Sequence, residues 1–179
     1  ESTVQTIASE SEVRRLGRGS ELRGVFFRSA DALWSEIDEF GFLFDMWVAG
    51  GANQPGAMSG AIAENIGAGE VLVRSSDYFQ TPFIEGYGSG PRPAPLTFEI
   101  PFVPMDEHAD PPRYTYLGGP LSTLTRHRRS LVHAPKFFDG LATTDPQVRS
   151  RVNARWANEV DAASTNAQTP FLVHLWSVD

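Results

Sequence analysis

The 179-residue chain contains no cysteine. Without thiols there is no disulfide framework, no thiolate nucleophile and no cysteine-based zinc site. Lysine is nearly missing as well: Lys136 stands alone beside 14 arginines. Arginine suits planar contacts across interfaces better than lysine does, which hints at assembly, although codon bias yields the same composition. Positive charge is scarce overall, with 15 basic against 22 acidic residues and a net charge of −7. That balance argues against broad phosphate binding, which depends on a basic footprint. No run approaches the roughly 18 apolar residues of a spanning helix, so no membrane contact is expected. No signal peptide is visible.

What is present is apolar and bulky. The apolar share is 41%, with 12 Phe and 4 Trp, enough for a real core and too aromatic for intrinsic disorder. Sixteen Gly and 13 Pro exceed what a helical bundle would tolerate, because both break helices and punctuate turns. The length suits one domain. The chain opens at Glu1 rather than Met, which reads as a processed product, a polyprotein piece or a trimmed chain.

Five apolar side chains alternate at Phe40, Phe42, Phe44, Met46 and Val48, and the pattern returns at Leu96, Phe98, Ile100 and Phe102. Period-2 spacing puts alternate residues on one face of a pleated strand, so both runs predict half-buried antiparallel strands. Further strands are expected over 22–27, 57–63, 70–74, 114–117, 121–125, 131–133, 148–160 and 171–178. In 148–160, Val148, Val152, Ala154, Trp156 and Val160 are read as the core face, with Arg149, Arg151, Asn153 and Arg155 opposite. Pro101 falls on the outward register of its strand and predicts an edge or a bulge.

Between the strands, residues 1–20 read as an extended N-terminal arm with one helical turn near Glu12. Ser29 caps a short helix through Ile37, where the spacing changes to about 3.6. Residues 77–95 read as a long loop, and loops of that length are more often functional or interfacial than idle. There is no βαβ alternation and no internal repeat. Eight to ten evenly spaced strands with long loops predict a β-sandwich or a jelly roll occupying 21–179.

No catalytic constellation emerges, and the chain is read as not an enzyme. The four histidines, His108, His127, His133 and His174, lack the tight spacing of a metal site, and Arg128 and Arg129 would repel a cation between two of them. No metal and no cofactor is expected. Arg126, His127, Arg128 and Arg129 could grip phosphate or a carboxylate-rich partner, and a subunit contact is the preferred reading. Arg149, Arg151 and Arg155 form a stripe that is either solvated or paired with an acidic neighbour. Arg14, Arg15 and Arg18 make a weaker basic patch that could touch RNA, diluted by Glu10, Glu12 and Glu21. Asp45, Glu99, Asp106, Glu107 and Asp110 have no partner for acid–base work, and the register of Asp45 and Glu99 favours exposure. Ser75 and Ser76 lack a nucleophile elbow. Gly86, Gly88 and Gly90 lack the following helix that a phosphate cradle needs.

Several windows carry a resemblance. FGFLFDMWVAGGANQPGAMSGAIA, from Phe40, is similar to the C and D strand pair of the jelly-roll capsid proteins of picorna-like viruses, the superfamily with insect, plant and algal members. That family's short "Gln–any–Gly–small" element is matched by Gln54, Pro55, Gly56 and Ala57. SSDYFQTPFIEG, from Ser75, resembles the segment leading to strand E. LTFEIPFVPM, from Leu96, resembles strand F, with Ile100, Pro101, Phe102 and Val103 carrying most of the match. VNARWANEVDA, from Val152, is similar to strand H, and the short helix before Phe40 falls where the family commonly has one.

Together these windows cover about half the chain. The stretch 118–141 matches loosely, and the arm is short for the family.

The resemblance implies an all-β, eight-stranded antiparallel jelly-roll β-sandwich with one or two short helices. It implies a subunit packed into an icosahedral shell in a virion assembled in host cytoplasm, with sister capsid proteins cut from one precursor as partners. Genomic RNA would be met from the inner face and the arm. Asp45 and Trp47 are then expected to meet a neighbouring subunit or the shell surface. The rivals are a cupin-like metalloenzyme, which stoichiometric metal would reveal, and a carbohydrate-binding module stacking sugars on Trp34, Trp47 or Trp176.

Overall fold

The computed structural model describes residues 2–28, 40–81, 97–104, 106, 108–130, 149–154, 164–166 and 173–178. Ten strands run through them: β1 (Ser2–Ala8), β2 (Glu21–Arg28), β3 (Phe40–Gly50), β4 (Val71–Thr81) and β5 (Thr97–Pro101). The others are β6 (Tyr114–Thr115), β7 (Leu121–Ser130), β8 (Arg149–Ala154), β9 (Ser164–Asn166) and β10 (Val173–Val178). Every pairing is antiparallel. One sheet has six strands in the order β4-β3-β7-β1-β8-β9; the second runs β10-β2-β5, with β6 paired on β2. No α-helix occurs among the described residues, so the chain is all-β there.

The main core lies where the two sheets meet. Leu22 and Val25 come from β2, Phe44, Met46 and Val48 from β3, Val73 from β4, Tyr114 from β6 and Leu121 from β7. Val13, Phe102 and Tyr116 fill in from the connecting segments. Phe44, Met46 and Val48 are wholly enclosed, as their alternation requires. Arg74, also buried, donates from Nη1 to the Pro101 carbonyl at 3.1 Å. Its guanidinium lies 5.4 Å from the centre of the Phe44 ring, so one charged side chain ties β4 to β5 inside the core. Pro101 ends β5 at the edge of its sheet, where a missing N–H costs no ladder bond.

Four sequence expectations need correction. Residues 2–8 are not an arm: β1 lies inside the six-stranded sheet, bonded to β7 on one side and β8 on the other. The exchange of Thr3, Gln5 and Ile7 with Val4, Thr6 and Ala8 suits a strand buried on both faces. Residues 57–63 are not a strand. Two 3-10 turns, Pro55–Ala57 and Ile62–Asn65, occupy this stretch, the first set by Pro55 at its start. β4 runs on to Thr81, pairing with β3 as far as Phe40, so residues 77–81 are strand rather than the start of a loop, and the rest of the expected loop lies outside the described residues. Asp45 keeps its outward register, opposite to Phe44 and Met46, but is 2% exposed rather than solvated. The expected helix at 29–37 and strand at 131–133 lie outside the described residues.

Candidate functional site

The outer face of the six-stranded sheet explains why Asp45 is enclosed. Residues directly opposite one another on neighbouring strands share a face. Thr3, Arg126 and Asp45 form one such row across β1, β7 and β3. Gln5, Leu124, Trp47 and Leu72 form the next, and Ile7, Ser122 and Ala49 the third. Thr3, Gln5, Ile7, Asp45, Ala49, Ser122 and Leu124 are all buried. This face therefore has a cover of its own.

The cover is the Ω-shaped segment 52–66. Its ends are pinched by a bridge between Gly51 and Ile66 and by the Gly67 amide, which donates to the Gly50 carbonyl at 2.7 Å. A Cβ on Gly67 would come within 2.8 Å of that carbonyl, so the pinch requires glycine. Ile62, Met58 and Ile66 pack on Leu124 and Trp47, making a second small core.

Asn65, with no exposed surface, pins the segment down. Its Oδ1 accepts from the Ser59 amide at 2.8 Å and from Asn53 Nδ2 at 3.0 Å. Its Nδ2 donates to the Ser59 carbonyl at 2.9 Å and to Gln5 Oε1 at 3.0 Å. Gln5 Nε2 passes the chain on to Ser122 Oγ at 3.4 Å. Every polar atom of the Asn65 side chain is used, so this amide holds structure and offers nothing to a ligand. Sequence reading missed Gln5, Asn65 and Ser122. Asparagines in a Pro/Gly-rich stretch signal a turn, and nothing local shows that one of them reaches 60 residues back.

Trp47, expected at an interface, is half-buried within its own chain, and Arg126 stacks on its ring at 5.0 Å. Arg126 Nε is enclosed with no hydrogen-bond partner. His127 pairs with Phe44 and Ser2, and a register shift follows, so that Arg129 pairs with Leu43 and Arg128 falls at the irregularity. The Arg126–Arg129 run thus lines one strand. Arg149 and Arg151 pair with Ala8 and Thr6, in the rows that contain Leu121 and Thr123. Val152 pairs instead with Gln5, in the row of Leu124 and Trp47, so the two faces of β8 stand in the reverse of the expected order. Arg155, Glu107, His133 and Trp34 lie outside the described residues, as do Gly86, Gly88 and Gly90.

The remaining candidates sit at the ends of the strands. Arg14, Arg15 and Arg18 are exposed on the turn between β1 and β2; Asp106, His108 and Asp110 are exposed on the approach to β6. His174 and Glu99 flank Phe26 in one row of the second sheet, whereas His127 belongs to the first. Among the described residues, no three His, Asp or Glu groups gather in a way that could hold a metal. Two tyrosines near this end are titration-shifted. Burial pushes the Tyr114 hydroxyl up, helped by Tyr116; burial also raises Tyr116, with Glu10 adding and Arg18 opposing. Tyr116 donates to the Gly119 carbonyl at 2.7 Å, whereas the enclosed Tyr114 hydroxyl has no hydrogen-bond partner.

Compared with protein-family models, with curated proteins and with solved structures, the chain matches none.

Proposed function

We propose that this chain is a structural subunit of a virus shell, assembling with copies of itself and sister proteins around an RNA genome, on an eight-stranded jelly roll. The observation that carries the reading is the order and spacing of the windows similar to picorna-like capsid proteins, above all Ile100, Pro101, Phe102 and Val103. Two antiparallel sheets sharing one core, with the early strand β2 beside the late strand β10, suit a double-sheet jelly roll. Such a subunit works by burying surface against neighbours and needs no active site. Its enclosed polar groups hold the Ω-shaped cover in place, which is the work of a scaffold.

Negative-stain microscopy and size-exclusion of the expressed chain, alone and with sister proteins from the same source, test the reading. Closed particles that contain this chain are the expected result. A stable monomer that turns over a substrate, or that carries stoichiometric iron, manganese or zinc, overturns it in favour of a metalloenzyme.

A further inference from the structure

We propose that the turn bearing Arg14, Arg15 and Arg18 docks onto loop 106–110 of a second copy of this chain, in a head-to-tail contact. The inference rests on the shell reading and names one contact by which its subunits would associate.

Because β1 belongs to the sheet, the three arginines sit on a held turn rather than a free arm. Buried Val13 anchors the turn, Leu16 N donates to the Val13 carbonyl at 2.8 Å, and Gly19 N donates to the Tyr116 carbonyl at 2.8 Å. All three side chains are exposed, and none has an ion-pair partner among the described residues. Leu117, at 48% the one large apolar side chain exposed among the described residues, directly precedes the Gly118 that meets Arg18. Gly118 and Gly119 both take positive φ, 89° and 80°, and the turn they make runs under the Arg18 guanidinium. A Cβ on Gly118 would lie 3.2 Å from its Nε and Nη2. Exposed arginines with an exposed apolar side chain one residue from the Arg18 contact are a composition enriched at interface centres.

The partner's chemistry is carried by the same chain. Asp106 and Asp110 are exposed, on a loop tightened by the Ala109 amide donating to the Asp106 carbonyl at 2.9 Å and the His108 amide donating to Asp106 Oδ1 at 3.0 Å. The arginine turn is held by its own backbone bonds, so little of its conformational freedom is lost on docking. The patches differ, so the contact is heterologous and closes into a ring or extends, as a shell requires. A chain of net charge −7 repels its copies at long range, and matching this exposed basic turn to an acidic loop fixes the register of approach. RNA suits the turn less well, because Glu10 and Glu12 lie within it.

Sedimentation velocity of the full chain tests the contact in about 50 mM and about 0.5 M NaCl, where screening differs strongly. The wild type is expected to associate at low salt and to weaken at least about tenfold at high salt. Arg14→Glu/Arg15→Glu/Arg18→Glu and Asp106→Arg/Asp110→Arg are each expected to stay monomeric alone, and to associate in one-to-one stoichiometry when mixed. The milder Arg14→Gln/Arg15→Gln/Arg18→Gln serves if charge reversal impairs folding, judged by the thermal transition. If every folded variant associates like the wild type, this contact is wrong and the shell reading stands. If the wild type is monomeric at all salts and concentrations, this contact is wrong, and the shell reading falls with it only where the chain also forms no particles with its sister proteins. If the arginine variants lose binding to single-stranded RNA while association is unchanged, the turn belongs to RNA.

Discussion

At the scale of single residues, Asn65 and Tyr114 show opposite outcomes of burying a polar group. Asn65 satisfies both ends of its amide, so its removal leaves Gln5 Oε1 and the backbone of Ser59 stranded. Each stranded group costs about 1–3 kcal/mol, and Asn65→Ala is expected to lower the unfolding free energy by about 3 kcal/mol in urea titration. Hydrogen exchange should localise the damage to residues 52–66. Tyr114 is the reverse case: its enclosed hydroxyl has no hydrogen-bond partner, so Tyr114→Phe should stay within about 1 kcal/mol of the wild type or exceed it. The pH dependence follows from the same burial. Tyr114 and Tyr116 are raised from the ordinary value of 10.0, so the folded chain holds these protons more tightly than the unfolded one. Their contribution is complete below about pH 10 and is lost as the pH climbs through that value toward the folded-state one. The urea midpoint should fall across this range, and the slope should flatten in Tyr114→Phe and Tyr116→Phe; an unchanged slope in both would count against the assignment.

At the scale of elements, the strongest alternations were legible and the covered face was not. Phe40 to Val48 spelled out β3, and Leu96 to Phe102 foretold β5, because period 2 is a local property. The same rule set Asp45 and Trp47 on the outward face, free for water or a neighbouring subunit, which assumes that one face of an antiparallel sheet is left uncovered by its own chain. Here segment 52–66 lies over that face, and its attachment through Asn65 and Gln5 spans 60 residues of sequence. No local pattern encodes such a contact. β1 was lost for a related reason: Ser2–Ala8 has Val4, Ile7 and Ala8 among polar residues, because Thr3, Gln5 and Thr6 are buried by pairing and by the cover rather than by being apolar. The site residues fared unevenly. The exposure of Arg14, Arg15 and Arg18 was legible from charge; the approach of Arg18 to Gly118 depends on β1 fixing where the turn leaves the sheet. An arm and a strand make different demands, and one substitution separates them. Thr6→Pro would remove an N–H from a strand paired on both sides, and is expected to cost more than about 3 kcal/mol or to abolish folding. A free arm would tolerate it, with an unchanged thermal transition.

At the scale of the whole molecule, charge governs how copies meet. The chain has a sequence pI of about 5.1, so at neutral pH the copies repel and association has to be specific. Near the isoelectric point the repulsion vanishes, and unspecific association is expected to peak there. Static light scattering from about pH 7 to about pH 4 should therefore show two regimes for the wild type. One is a salt-sensitive association at neutral pH with defined stoichiometry. The other is a scattering maximum near pH 5 that salt does not abolish and that has no defined size. The arginine-to-glutamine triple variant separates them, because it makes the chain more negative while deleting the basic turn. Its scattering maximum should move to lower pH while the neutral-pH species disappears. If the neutral-pH species survives and only the maximum moves, copies meet through another surface, and the net charge alone accounts for what the arginines do.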